Sequence, residues 1–234
     1  DVNNDGILDG TNTKINPFFD SDSVENFELG AKVALLDSRL QINAAVYRIN
    51  WENIPLFIVS PTTVGCGISA NAGEARSQGF EIETTYQLNQ NLRINLGGAY
   101  TSAELTGLAV GAPFSIGDRL PSFPEYNVNL GLEYEFELNG YASYIRGDYA
   151  YVGDFFSGPG ETGGGVGLGP VAAGDYGQLN LGAGITLDQF ISIELFAHNL
   201  ANEDALTHVS RFTSLGEAYR LRPRTIGLTV AYQF

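Results

Sequence analysis

From Tyr126 to Glu137 the chain alternates without a break: Tyr126, Val128, Leu130, Leu132, Tyr134 and Phe136 are interleaved with Asn127, Asn129, Gly131, Glu133, Glu135 and Glu137. A β-strand turns such a period of two into one apolar and one polar face, whereas a helix would scatter the same residues around its circumference. The same alternation runs through Phe27–Leu35, Leu40–Val46, Phe80–Leu88, Leu92–Tyr100, Tyr141–Tyr151, Leu179–Leu187, Ile191–Ala197 and Ile226–Phe234, giving about nine strands. Its phase is weakest near Arg48, where a β-bulge is expected.

The connections between these strands sort by length. Short turns are expected at 36–39, 88–91, 137–140 and 187–189, and long loops at 52–71, 104–123, 155–174 and 201–218. Short turns on one side and long loops on the other are the habit of outer-membrane barrels, whose long loops lie outside the cell. A soluble β-sandwich has no cause to sort its loops, and its strands are shorter than the roughly 9–11 residues needed to cross a bilayer. The polar alternate face carries Gly, Asn, Gln, Thr and Glu, which suits a wet lumen. Aromatic residues gather near strand ends (Tyr100, Tyr126, Tyr134, Phe136, Tyr141, Tyr149, Tyr151, Phe155), where interfacial girdles form.

Composition supports a molecule with two solvents. Only 17% of residues are charged, 29 are glycine, and the mean hydropathy is −0.03. No apolar run is long enough for a membrane-spanning helix, which says nothing against a barrel. The net charge of −15 disfavours nucleic acid as a partner. The lone Cys66 excludes an internal disulfide framework. The expected fold is therefore all-β: an antiparallel transmembrane β-barrel formed by 24–234, preceded by an external loop at 1–23. Bacterial single-chain barrels have even strand numbers, so an odd count of about nine leads us to expect more strands upstream.

Several segments resemble the distal barrel of TonB-dependent receptors, in family order. They are Ser23–Gly30; Asn71-Ala72-Gly73 followed by Gly79-Phe80-Glu81; Asn199-Leu200-Ala201-Asn202, with Asn202 where Asp is usual; Arg222-Pro223-Arg224-Thr225-Ile226-Gly227; and the terminal Tyr232-Gln233-Phe234. The resemblance implies an incomplete portion of a 22-stranded barrel in the bacterial outer membrane, its lumen plugged by an upstream domain. It further implies active import of a scarce nutrient, plausibly a ferric siderophore, powered through TonB, which would be reached through that upstream plug region. Ile226, Leu228, Val230, Tyr232 and Phe234 would form the signal read by the barrel-assembly machinery. Outer-membrane lipid and a small-molecule nutrient are the remaining expected partners; catalysis and an obligatory cofactor are not expected.

Asp1, Asn3, Asp5 and Asp9 place oxygen ligands around Gly6, and the Ile7 carbonyl adds another, as in the front half of an EF-hand loop. Position 12 is Asn12 rather than the bidentate Glu, so the choice is between structural calcium and a solvated Asp/Asn turn. Gly158-Pro159-Gly160-Glu161-Thr162-Gly163 spells a dinucleotide-type string, but no helical pattern follows it, so a glycine-rich loop is the reading. The alternating Glu81, Glu83, Glu133, Glu135 and Glu137 read as solvation of a wet face. His198 reads as a luminal hydrogen-bonding residue, and no Ser/His/Asp or Cys/His set converges. The loop aromatics Trp51, Phe57, Phe114, Phe123, Phe155, Phe156 and Phe212 are candidates for ligand contact. A passive porin is the alternative; it would lack the upstream plug.

Overall fold

The computed structural model describes residues 20–59, 67–71, 73–109, 112, 114–157, 172–188, 190–210 and 217–233. In chain order its strands are β1 (Ser23–Leu35), β2 (Leu40–Glu52), β3 (Pro55–Val59), β4 (Gly67–Asn71), β5 (Gly73–Gln87), β6 (Leu92–Leu108), β7 (Tyr126–Leu138) and β8 (Tyr141–Val152). They continue with β9 (Phe155–Phe156), β10 (Ala172–Ala173), β11 (Tyr176–Leu187), β12 (Ile191–His198), β13 (Leu206–Ser210), β14 (Glu217–Arg220) and β15 (Thr225–Tyr232).

Nine of these form one sheet of neighbouring antiparallel pairs, in the order β1-β2-β5-β6-β7-β8-β11-β12-β15. The remaining six form three two-stranded ribbons, β3–β4, β9–β10 and β13–β14, which stand on the long connections. At the opposite end the turns are tight. Asn139 and Gly140, with φ of 52° and 82°, make a two-residue hairpin that demands left-handed backbone at both positions. β1 and β15 are the edges of the sheet. In lipid such edges would leave backbone groups unpaired unless another strand covers them.

The register aligns the apolar positions into one continuous surface. Leu29, Val46, Phe80, Tyr100 and Tyr126 stand opposite one another across five strands. Towards the other edge of the sheet, on the same face, Leu132, Gly147, Leu181, Ala197 and Ile226 do the same. These side chains are not a core: Ile145 and Leu195, on interior strands, are 52% and 55% exposed. A broad apolar sheet face left open is what hydrocarbon, rather than water, would cover. At the strand ends Tyr100 and Tyr126 have rings 5.1 Å apart, and Tyr134 and Phe136 stack at 5.7 Å. Phe155 departs from the expected girdle, being 8% exposed within a loop cluster.

No bulge occurs at Arg48: β2 pairs residue for residue with β1 and β5 along its whole length. The polarity changes face instead of phase. Above Val46, the outward positions become Arg48, Asn50 and Glu52, while the inward ones become Tyr47, Ile49 and Trp51. The outward face has left the apolar band there, and the inward face is covered by loops. The register shift in these strands lies between Glu74 and Ala75 of β5. β6 also outruns its expected end near 104, because Leu105 donates its N–H to the Asp118 carbonyl (2.9 Å) and Leu120 its own to Ala103 (2.9 Å), so the following loop folds back as an added partner.

Buried apolar residues gather at this loop-bearing end. Ile54, Ala75, Ala103, Leu105 and Leu120 form one cluster, flanked by Trp51, Leu56 and Phe114. Phe155, Ala173 and Val209, with Val152 and Leu206, form the second.

Candidate functional site

The polar, inward face and its loop-built rim are where a solute would be met. Across β6, β7, β8 and β12 the inward face carries a belt of alternating charge. Arg93 is ion-paired with Glu133, Glu133 lies in register with Arg146, and Arg146 Nη2 reaches Glu194 Oε1 at 3.0 Å. That last pair spans an intervening strand. Gly182 of β11 lies between them, and a Cβ there would sit 3.0 Å from Arg146 Nε and 3.4 Å from Glu194 Oε1. Next to it, Gly184 accommodates the Tyr144 ring, whose Cε1 would be 2.3 Å from an added Cβ. Two glycines thus let long polar side chains lie flat along the wall. Glu135, Glu137 and Asp148 face inward outside the belt.

The wall of β1, β2 and β5 differs. Glu28, Lys32, Asn43, Glu81 and Glu83 line a shallow inward depression there. None of its carboxylates is ion-paired among the described residues. His198 also faces inward, and its described contact is the Phe196 ring at 4.9 Å rather than a hydrogen bond.

The rim is held by asparagines and one arginine. Asn199 is 1% exposed; its Nδ2 donates to the carbonyls of Glu203 (2.9 Å) and Arg222 (3.0 Å), and its Oδ1 accepts from Glu203 N (2.8 Å). Asn202 accepts from Arg224 N at 3.0 Å through Oδ1. Both take φ near 50–56°, a left-handed conformation that Asn tolerates better than most residues. Asn71 plays the same part on the opposite flank. Its Nδ2 donates to the carbonyls of Asp20 (3.0 Å) and Asn53 (2.7 Å), while its Oδ1 accepts from Asp20 N (2.8 Å). The motif asparagines are therefore clamps, with their polar atoms committed to backbone.

Arg119 joins two loops. Its Nη1 meets Asp154 Oδ2 and its Nη2 the Asp154 carbonyl, both at 2.8 Å, and its guanidinium lies 5.1 Å over the Phe156 ring. Ser122 N donates to Phe156 O (2.9 Å), and Gly174 N to Leu206 O (3.0 Å), so consecutive loop bases are braced together. Neither the Arg119 hub nor the cross-strand Arg146–Glu194 pair had a local sequence signal, because both depend on which strands become neighbours.

Of the loop aromatics, Trp51 and Phe114 flank the first buried cluster, Phe155 belongs to the second, and Phe156 lies under Arg119; Phe123 is 44% exposed. The side chains of Phe57 and Phe212 lie outside the described residues, as do Cys66 and the 158–163 glycine string. Asp1, Asn3, Asp5, Ile7 and Asp9 also lie outside them. Of the residues expected to form the assembly signal, Ile226, Leu228, Val230 and Tyr232 point outward on β15, and Phe234 is outside the described residues. Among the described residues no helix is long and apolar enough to cross a membrane, which leaves a strand-built crossing open.

Comparison with known proteins places this architecture. A family model described as "TonB dependent receptor-like, beta-barrel" matches residues 3–200. The chain is 34% identical over 118 residues to the metal-pseudopaline receptor CntO of Pseudomonas aeruginosa, covering 50% of this chain and 16% of that protein. It is 28% identical over 128 residues to the probable TonB-dependent siderophore receptor PiuA of Acinetobacter baumannii, covering 51% of this chain and 16% of that one. In three dimensions it is similar to the ferric yersiniabactin uptake receptor FyuA of Yersinia pestis, with a TM-score of 0.73 at 20% identity, over 92% of this chain and 30% of that one. The ferric-catecholate import receptor Fiu of E. coli gives a TM-score of 0.70 at 22% identity, over 92% and 28%. The likeness to these structures is one of fold, and the chain spans less than a third of each relative's length.

Proposed function

Since the chain belongs to the TonB-dependent receptor β-barrel family, whose barrels sit in the bacterial outer membrane, we propose that it forms the distal barrel wall of a receptor that actively imports a scarce, chelated nutrient, a ferric siderophore first among candidates. The observation that carries this reading is a sheet with an apolar outer face and a polar, charge-bearing inner face, in a chain whose match to the family model runs from residue 3 to residue 200. The family consists of transport receptors, and no catalytic role is assigned to this wall.

The division of labour follows from where the polar atoms are spent. Rim asparagines and Arg119 hold the loop bases in place, leaving the loop tips and the inward face to meet the solute. Energy would come through TonB acting on a plug domain elsewhere in the protein, and membrane insertion through the assembly machinery at β15. Calcium at Asp1, Asn3, Asp5, Ile7 and Asp9 would stiffen an external loop; isothermal titration of full-length receptor with calcium, with and without Asp5→Asn, checks this, and heat unaffected by the substitution would refute it.

Calorimetric titration of the full-length receptor with a panel of ferric siderophores tests the main proposal. Saturable binding of at least one, together with uptake abolished in cells lacking TonB, is expected. Uptake that persists without TonB would instead favour a passive channel.

A further inference from the structure

Two buried clusters lie at the loop-bearing end of the sheet, and Arg119 stands where they meet. The first, built on Ile54, Ala75, Ala103, Leu105 and Leu120, packs the connections after β2 and β6 onto the ends of β5 and β6. The second, built on Phe155, Ala173 and Val209, packs the connection after β8 against the one after β12. Segment 115–125 is zipped to β6: Gly117 N donates to Leu105 O (2.8 Å), Leu120 N to Ala103 O (2.9 Å), and Thr101 N to Glu125 O (2.9 Å). In the second cluster Gly174 N donates to Leu206 O (3.0 Å).

The joint between them is symmetrical in sequence. Leu120, the neighbour of Arg119, is 4% exposed in the first cluster. The guanidinium grips Asp154 through its carboxylate and its carbonyl, each at 2.8 Å, and covers the Phe156 ring from 5.1 Å. Between those two residues, Phe155 is the one that enters the second cluster. A buried anchor on each side is thus covalently next to the residues that make the contact. The Arg119 side chain is only 20% exposed, so the pair is screened less than a fully exposed one. One further hydrogen bond, Ser122 N to Phe156 O at 2.9 Å, ties the same segments. Among the described residues no hydrogen bond or ion pair joins 112–125 directly to 203–210.

We infer that Arg119 is a positioning residue that couples the two clusters, so that the loop bases loosen as one cooperative unit rather than two. Freeing the guanidinium releases 154–156, which unseats Phe155 and weakens the Gly174–Leu206 joint, although Arg119 touches neither Gly174 nor Leu206. Any cation could meet the Asp154 carboxylate. A planar guanidinium is required to bond carboxylate and carbonyl through separate N–H groups while its face lies on a ring. The coupling is a property of the rim and holds whichever nutrient is imported.

Hydrogen–deuterium exchange of ligand-free, full-length receptor in detergent reads both joints, the Ser122 amide for the near one and the Gly174 amide for the far one. Arg119→Ala should speed exchange about ten-fold at both, the scale of one lost hydrogen bond to a charged group, while amides in the middle of β7 keep their wild-type rates. Arg119→Lys, which reaches one oxygen but not carbonyl and ring together, should restore part of the protection. Coupling is reciprocal, so Val209→Ala, which hollows the second cluster, should speed the Ser122 amide as well. A side chain that braces only its own loop would move Ser122 and leave Gly174 at its wild-type rate, and that result would overturn the inference. So would a Val209→Ala effect that stops short of Ser122. Heat-dependent gel mobility checks folding; if Arg119→Ala fails it, Asp154→Ala, which keeps the backbone carbonyl as an acceptor, takes its place, with the same pattern expected at smaller size.

Discussion

The two flanks of the inward wall solve the same problem differently. From β6 to β12 the charges interlock: Arg93 with Glu133, Glu133 beside Arg146, and Arg146 with Glu194 across the gap left by Gly182. From β1 to β5 the carboxylates of Glu28, Glu81 and Glu83 share a depression with Lys32 and no ion pair forms among them. The rim anchors differ as well: Asn199, above the interlocked flank, is 1% exposed, whereas Asn71 on the other is only half-buried. The interlocked belt satisfies its own charges, while Glu135, Glu137 and Asp148 beside it face inward with no ion pair among the described residues. The β1–β5 flank has no such belt among the described residues.

That contrast can be broken first at its anchors. Asn199→Ala strands three backbone groups in a buried site and should cost about 2–4 kcal/mol, since each unsatisfied group carries about 1–3 kcal/mol and relaxation recovers part of it. Asn71→Ala, with water at hand, should cost about 1 kcal/mol or less. Denaturant titration of heat-modifiable barrel in detergent checks both, and equal costs would erase the asymmetry. Next in size, Gly184→Val should cost about 1–3 kcal/mol by overpacking against Tyr144. The glycine tolerance of the interlocked flank would be disproved by a neutral result.

Smaller effects compare the charges themselves. Glu194→Ala removes a pair whose side chains are 30% and 44% exposed, so solvent screening holds the loss to about 1 kcal/mol or less. Glu81→Gln should leave the barrel's stability within about 0.5 kcal/mol of wild type, because there is no ion pair to lose. The smallest shift is expected from Ala45→Lys, which places a cation in register with Glu81 and should stabilise by a few tenths of a kcal/mol, roughly, while making the melting more salt-sensitive. Should Glu81→Gln destabilise as much as Glu194→Ala, the two flanks would be alike.

Much of this architecture was legible in the residue order. Alternation is local, so β7 could be read from Tyr126 onward, and the count of about nine strands and the sorting of loops followed from it. The resemblance at Asn71 and Asn199 pointed to the family without revealing that these side chains are clamps. Arg48 shows where local reading stops. Its polarity looked like a phase error, but the strand runs straight and the solvent changes instead. The Arg146–Glu194 pair and the Arg119–Asp154 hub were invisible for a related reason: 48 and 35 residues separate the partners, and only the sheet order brings them together. Phe155 is buried rather than part of a girdle, and its sequence context does not show it, because an aromatic at a strand end looks the same whether lipid or a neighbouring ribbon covers it.

All of these comparisons presume that β7 has oil on one side and water on the other. Single cysteines along Val128–Glu133, in a full-length receptor carrying Cys66→Ser, would be spin-labelled in lipid vesicles and their collision rates with oxygen and with a water-soluble nickel chelate compared. Labels at Val128, Leu130 and Leu132 should favour oxygen, and those at Asn129, Gly131 and Glu133 the chelate, alternating residue by residue. A flat profile, or one with the two sets exchanged, would contradict the account.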